Sequence, residues 1–358
     1  MKYSRLLISF LLILFTGISN HVMILPHLLR AANRDAWVCV LAAYAILLLW
    51  GLFLYFILKR LMREGLRSWI KDRAGKFVSR GIILIFAVYF FVSGILASYD
   101  FILLIKIYFL PVTPAWIVTG CFLLLCVWAA YKGFKVIAYM SALLLPIVWT
   151  LGYFVAFSTL NKKEYSYLLP VLENGFDPIK DGVIIVLGGS IDLLVLFLIQ
   201  DRMKKPFTYF HLLILITILL GLVLGPTMGS ISSFGPSVSS NFRYPAFEQW
   251  RLVQLGRQVS HLDFLAVFQF LSGSIIKVSL CLSFLVELFD IQSEKGKRSF
   301  LIISGILFSS ISIVPLSDIW LQKKIAGYYY PILFFGGFAL SLILFAISYL
   351  PKKKGVPF

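Results

Sequence analysis

Two ionisable residues of this chain fall inside long apolar runs, and their surroundings suggest what they do. Asp192 ends the stretch Leu187-Gly-Gly-Ser-Ile-Asp192, and Lys277 follows Ser272-Gly-Ser274. A charge at the middle of a bilayer costs roughly 2.5–3.5 kcal/mol on insertion scales, so each is expected to face a protein interior and to have a partner. Asp192 could bind an amine or carry a proton. Alternatively it lies nearer the inner end of its helix, with Arg202 as a surface partner. Lys277 is a candidate internal cation. Glu287 lies ten residues beyond it, about 15 Å along a helix, too far to pair with it, and reads as an interfacial carboxylate. Small and polar residues also interrupt the apolar runs: Gly17, Ser19, Asn20 and His21 before Pro26; Gly188, Gly189 and Ser190 before Asp192; and Ser272 before Lys277. Unwound backbone at such places offers N–H groups to a carboxylate and C=O groups to an ammonium, which suits a zwitterion. The competing reading is that small residues let helices pack closely. Tyr89 and Ser93, four apart, share a helix face that supplies one wall and one hydroxyl, or simply packs.

The elements that position these residues must be membrane helices. Of the 358 residues, 60% are apolar and 14% charged, too few polar groups to cover a water-soluble particle. That excludes a soluble enzyme, a nucleic-acid-binding domain and a disordered tail. Ten apolar stretches reach the roughly 20 residues that a spanning helix needs: 6–29, 37–58, 81–105, 115–132, 136–157, 182–200, 207–228, 264–288, 299–317 and 331–350. With the N-terminus inside, about two thirds of the 33 Lys and Arg fall on cytoplasmic segments, which places both termini in the cytoplasm and explains the net charge of +17 without a nucleic-acid partner. Lys2 and Arg5 before an apolar run resemble a signal peptide. The run resumes at Val22 and no small-residue cleavage site follows, so the helix is expected to be retained.

The longest outer loop, about 158–181, separates five spans from five more. A half with an odd number of spans must be followed by an inverted copy, so the expected fold is all-α: one transmembrane domain over 1–358, a 5+5 inverted repeat (about 6–157 and 182–350). Helices 1 and 6 are expected to be broken at mid-membrane. Gly221, Gly225 and Gly229 form a packing face in the seventh span. The amphipathic stretch Pro245–Gly256 reads as a short helix on the outer surface. Cys39, Cys121, Cys126 and Cys281 read as buried packing residues. No phosphate-binding loop, H-E-x-x-H or G-x-S-x-G motif occurs, and His21, His27, His211 and His261 lack ligand spacing. No catalysis, cofactor or metal is expected.

Three stretches carry a resemblance. Asn20-His-Val-Met-Ile-Leu-Pro26 followed by Arg34-Asp-Ala-Trp37, Asp201-Arg-Met-Lys-Lys205, and Tyr244-Pro-Ala-Phe-Glu-Gln-Trp-Arg-Leu-Val253 followed by Leu262-Asp-Phe264 resemble, in this order, the endospore germination permeases. These are the B subunits of nutrient germinant receptors, in the amino acid–polyamine–organocation (APC) superfamily. The resemblance implies a LeuT/APC-like fold and a place in the spore inner membrane beside an A subunit and a lipoprotein C subunit. It also implies a nutrient pocket between helices 1, 3, 6 and 8, with Ser19, Tyr89, Ser93 and 188–190 facing it. Ser19-Asn20-His21 replaces a glycine-rich turn common in relatives. The expected function is amino-acid sensing. The rivals are an H⁺- or Na⁺-coupled amino-acid transporter and a conduit for ions or water.

Overall fold

The structure, a computed structural model, describes residues 2–61, 64–173, 175–254 and 262–352; His261 and the end of the 245–256 stretch lie outside these. Among the described residues the chain is helical, and its one extended pairing is an isolated bridge between Tyr3 and Met203. Helix α1 (Arg5–Ile18) runs through a π-helical turn, Ser19–Met23, into α2 (Ile24–Ala32). After Asn33 follow α3 (Ala36–Leu61), the short α4 (Leu66–Ala74), α5 (Lys76–Tyr108), α6 (Ala115–Lys132) and α7 (Phe134–Ser158). The second part holds α8 (Asp177–Gly189), a 3₁₀ segment Ser190–Val195, α9 (Leu196–Ile199), α10 (Tyr209–Phe234), α11 (Pro236–Ser239) and α12 (Pro245–Arg251). It ends with α13 (Phe264–Leu288), α14 (Glu294–Ser312), α15 (Asp318–Lys324), a second π turn Ile325–Tyr329 and α16 (Tyr330–Ile347).

Local chemistry sets these limits. Ser4, Thr208, Ser293 and Ser317 each accept a backbone N–H at the start of α1, α10, α14 and α15, satisfying one of the donors a helix start leaves free. Gly75 and Gly133, at φ 93° and 87°, end α4 and α6 in a conformation that disfavours a Cβ and let α5 and α7 turn back at once.

Among the described residues eight helical segments are long and apolar enough to cross a bilayer, against the ten expected. The difference has two causes. The first two expected spans join into one helical run, Arg5–Leu61, whose direction changes at Asn33 (φ 48°). In α14, Lys295, Lys297 and Arg298 make the first turns too polar to qualify. The last span starts earlier than expected, at Asp318 rather than 331.

Helices from the two parts of the chain interleave: α5 packs along α13, α3 along α10 and α8, and α1 along α13. Asp177–Arg202 is the most buried span and α7 the most peripheral. Both ends of the described chain lie on one face. Tyr3 exchanges backbone hydrogen bonds with Arg202 (2.7 Å) and Lys204 (2.8 Å), and Lys352 pairs with Glu64 (2.7 Å).

Two expectations need correction. Cys121 is exposed on the outward side of α6, while the other three cysteines are buried. Its position on that helix faces away from the bundle. The segment Pro245–Arg251 is a helix but does not lie on the surface. Phe247, Glu248, Gln249 and Trp250 are buried, because each polar group among them has found an internal partner.

Candidate functional site

Lys277 and Asp192 meet at the centre of the bundle. The Lys277 ammonium donates to Asp192 Oδ2 (2.8 Å) and Ser19 Oγ (2.5 Å), with the two charged side chains only 1% and 4% exposed. The Tyr89 hydroxyl donates to the other carboxylate oxygen. The ammonium also stands 4.6 Å from the centroid of the Phe15 ring, a cation–π contact. Ser93, buried one turn from Tyr89 on α5, lies near the Tyr329 hydroxyl. The expected set of four elements therefore does converge: Ser19 from the first helical run, Tyr89 and Ser93 from α5, Asp192 from the sixth expected span and Lys277 from α13.

Three of the contributing turns are not α-helical. Ser19 opens one π turn, Tyr329 closes the other, and Asp192 stands on the 3₁₀ segment. Prolines account for both π turns. A proline cannot donate to the carbonyl four residues back, and its ring crowds that carbonyl. Pro26 and Pro331 displace the carbonyls of Val22 and Gly327, and both residues lie within the π turns. Span 1 thus passes through a wider helical turn at Ser19–Met23, where an unwound stretch was expected. Span 6 tightens to 3₁₀ after Gly188-Gly189. Such mid-helix departures frequently mark functional positions.

The remaining expected residues hold this geometry from the side. Asn20 donates to Leu219 O (3.4 Å) and His21 Nδ1 to Leu222 O (3.3 Å). Leu222 is four residues before Pro226, so His21 occupies a carbonyl that α10 itself leaves free. The Asn20 side-chain oxygen is buried without a partner among the described residues. Ser190 and Ser272 return their hydroxyls to Val186 O and Phe268 O of their own helices. Gly17 faces Leu222, Gly188 the backbone of Tyr330, and Gly189 the side chain of Ile24. At Gly188 a Cβ would stand 2.5 Å from the Tyr330 carbonyl oxygen. Gly188→Ala is therefore expected to destabilise the protein by about 1–3 kcal/mol, read as a lower unfolding midpoint in detergent; an unchanged midpoint would show that α16 yields freely there.

Further ion pairs lie on either side of the centre. About 16 Å along α5 from Tyr89, Asp100 is bound by Arg243, whose Nε also pairs with Asp318 at 3.0 Å. Tyr244 donates to Asp100 O (3.0 Å). Burial opposes the charge on Arg243, but Asp100, Tyr244 and Asp318 outweigh it and hold the guanidinium above its usual range. Toward the other face Glu287 pairs with Arg202, whose guanidinium covers the Phe134 ring at 4.6 Å. Arg202 thus has Glu287 as its partner, and Asp192 has Lys277. Phe15, Tyr329, Arg243 and Asp318 were not anticipated. The run Tyr328-Tyr-Tyr-Pro331 was the available signal, but Lys323 and Lys324 next to it lower the local hydropathy.

A helical membrane protein with a charge-paired centre and further ion pairs on either side of it is the class of protein these features define. The chain belongs to the spore permease family, described as spore germination proteins, whose model matches residues 5–318. It is 32% identical over 347 residues to spore germination protein XB of Bacillus anthracis, covering 97% of this chain and 98% of that protein. It is also similar to putative spore germination protein YfkT (27%, 80% of each chain) and spore germination protein KB (23%, 76% of this chain and 74% of that one), both of Bacillus subtilis.

Proposed function

We propose that this chain is the nutrient-sensing, permease-like subunit of a spore germinant receptor. It binds an amino acid at the Lys277–Asp192 centre and signals to an A subunit and a lipoprotein C subunit in the spore inner membrane. Its ten spans form a 5+5 inverted repeat: the run Arg5–Leu61 counts as two and α14 completes the set. Both termini face the cytoplasm, in keeping with the basic side chains gathered at that face.

One observation carries the reading: two opposite charges pair with each other at the point where three non-α turns meet. A zwitterionic amino acid brings the same two charges. Its ammonium takes Asp192 and its carboxylate takes Lys277, so one internal pair becomes two and no net charge is buried. Tyr89 and Ser19 keep the protein groups oriented during the exchange. Their turns, together with that of Tyr329, then shift, and the ligand favours one of two states by the difference in its affinity for them. Sensing needs only that shift, not turnover.

Ser93, buried beside Tyr329, tests the placement. Ser93→Leu fills that space with apolar bulk. Spores carrying it are expected to need an amino-acid concentration about tenfold higher for half-maximal dipicolinate release, a change of about 1.4 kcal/mol. An unchanged response at equal abundance would remove Ser93 from the pocket. The buried carboxylate and ammonium equally suit an H⁺-coupled amino-acid carrier. Accumulation of labelled amino acid against a gradient in proteoliposomes would favour that reading, and binding without uptake the receptor.

A further inference from the structure

A second candidate site lies on the outside of the bundle, away from the centre. Helices α6 and α14 leave between them a groove of about 520 Å³ that opens outward. Gly120, Leu124 and Trp128 of α6 and Ile302 of α14 form its apolar length; Tyr131 and Arg298 stand at its end. Its floor is closed where Gly305 passes Val127, since a Cβ there would come within 2.7 Å of the valine methyl. At Gly120, by contrast, a Cβ would meet nothing within 4 Å. The trench is therefore open along one wall and sealed beneath.

Its two ends differ in chemistry. The Arg298 end lies at the same face as the chain ends and carries Lys132, Lys135, Lys295 and Lys297 as well. None of these five makes an ion pair among the described residues, whereas Arg67, Arg202 and Lys352 at the same face have each found a carboxylate. The one acidic neighbour on α14 is Glu294, in its first turn. Lys297 lies over the Tyr131 ring (5.4 Å) and Lys132 near the Trp128 ring (6.0 Å), the amphipathic pairing of a membrane interface. The α6 sequence between them has no acidic residue.

We propose that this groove binds an anionic phospholipid, its acyl chain along Gly120 and Leu124 and its headgroup phosphate among Arg298, Lys297 and Lys132. Charge complementarity selects the occupant. Basic pockets between membrane helices on the cytoplasmic side hold anionic headgroups, and each basic residue near such a surface adds to the attraction. An apolar helix of a partner protein would fill the trench but leave the cations without counter-charge.

The test is native mass spectrometry of the intact chain released from nanodiscs of equimolar phosphatidylglycerol and phosphatidylcholine. Phosphatidylglycerol is expected to be retained about tenfold over phosphatidylcholine. The triple variant Lys132→Gln/Lys297→Gln/Arg298→Gln is expected to bring the ratio to about one. Gly120→Phe, whose ring enters open space and leaves packing and charge intact, is expected to lose the retained lipid at an unchanged unfolding midpoint. Equal retention of the two lipids by the unmodified chain overturns the proposal. So does a preference that survives both variants, or displacement of the lipid by millimolar inorganic phosphate, which would make a free anion the occupant.

Discussion

Asp192→Asn is expected to destabilise the protein by about 3–5 kcal/mol, because it leaves the Lys277 ammonium buried without a counter-charge. Tyr89 keeps an oxygen acceptor in the amide, so little of that effect comes from the hydroxyl. Lys277→Met alone is expected to act in the same direction by leaving the carboxylate unpaired. The double variant is the informative one. In Asp192→Asn/Lys277→Met no charge is left buried and the amide still accepts from Tyr89, so most of the lost stability returns: removing both charges of a buried pair is far milder than stranding one. Amino-acid binding is not restored, because neither charge of a zwitterion then has a partner. Thermal unfolding and titration calorimetry on the purified chain read the two effects separately. Recovery of binding along with stability would make the pair a structural device and move the ligand elsewhere. Unaltered binding in Asp192→Asn alone would do the same.

Arg243→Gln is expected to have the second largest effect, on access. The guanidinium ties Asp100 of α5 to Asp318 at the start of α15, two segments far apart in the chain. Its loss costs about 3 kcal/mol, the lower end for a buried pair, since Asp318 is partly exposed. On the proposed two-state reading the pair holds the closed state, so its loss is expected to raise the population open on the Arg243 side. Cys281, one helical turn beyond Lys277 and fully buried, reports it. In a chain with Cys281 as its only cysteine, Arg243→Gln is expected to raise the rate of modification by a hydrophilic thiol reagent at least about tenfold, or about 1.4 kcal/mol of opening. An unchanged rate would mean that the ion pair braces the outer segments without closing anything.

The sequence marked charges and polar interruptions, because each stands out against apolar neighbours, and four of the marked residues meet in the structure. Asp192, Lys277, Ser19 and Tyr89 were all legible one at a time. Their pairing was not. Asp192 and Lys277 are 85 residues apart, and nothing local distinguishes that pairing from one between Asp192 and Arg202. Tyr329 escaped because Lys323 and Lys324 mask the start of the last span. At Gly188 and Gly189 the pattern of small residues was clear, yet two uses of it were open; here Tyr330 and Ile24 occupy the space. The Pro245–Arg251 helix misled for the opposite reason. Its polarity suggested water, whereas Glu248 takes the Tyr108 hydroxyl (2.8 Å) and Trp250 donates to Gln269 (2.9 Å) inside the protein. A polar residue in a membrane protein reports a need for a partner, not the side on which the partner is found.

The separation within the Lys277–Asp192 pair also sets an order in time. A ribosome adds about 5–20 residues per second, so roughly 4–17 s pass between the synthesis of Asp192 and that of Lys277. The two spans leave the ribosome with the same offset, so the carboxylate reaches the membrane before its cation does. Its span is the most apolar of the eight, which lets it insert against that cost. The centre of the molecule is thus completed only when α13 arrives, and until then the earlier helices wait in the membrane around an unanswered charge.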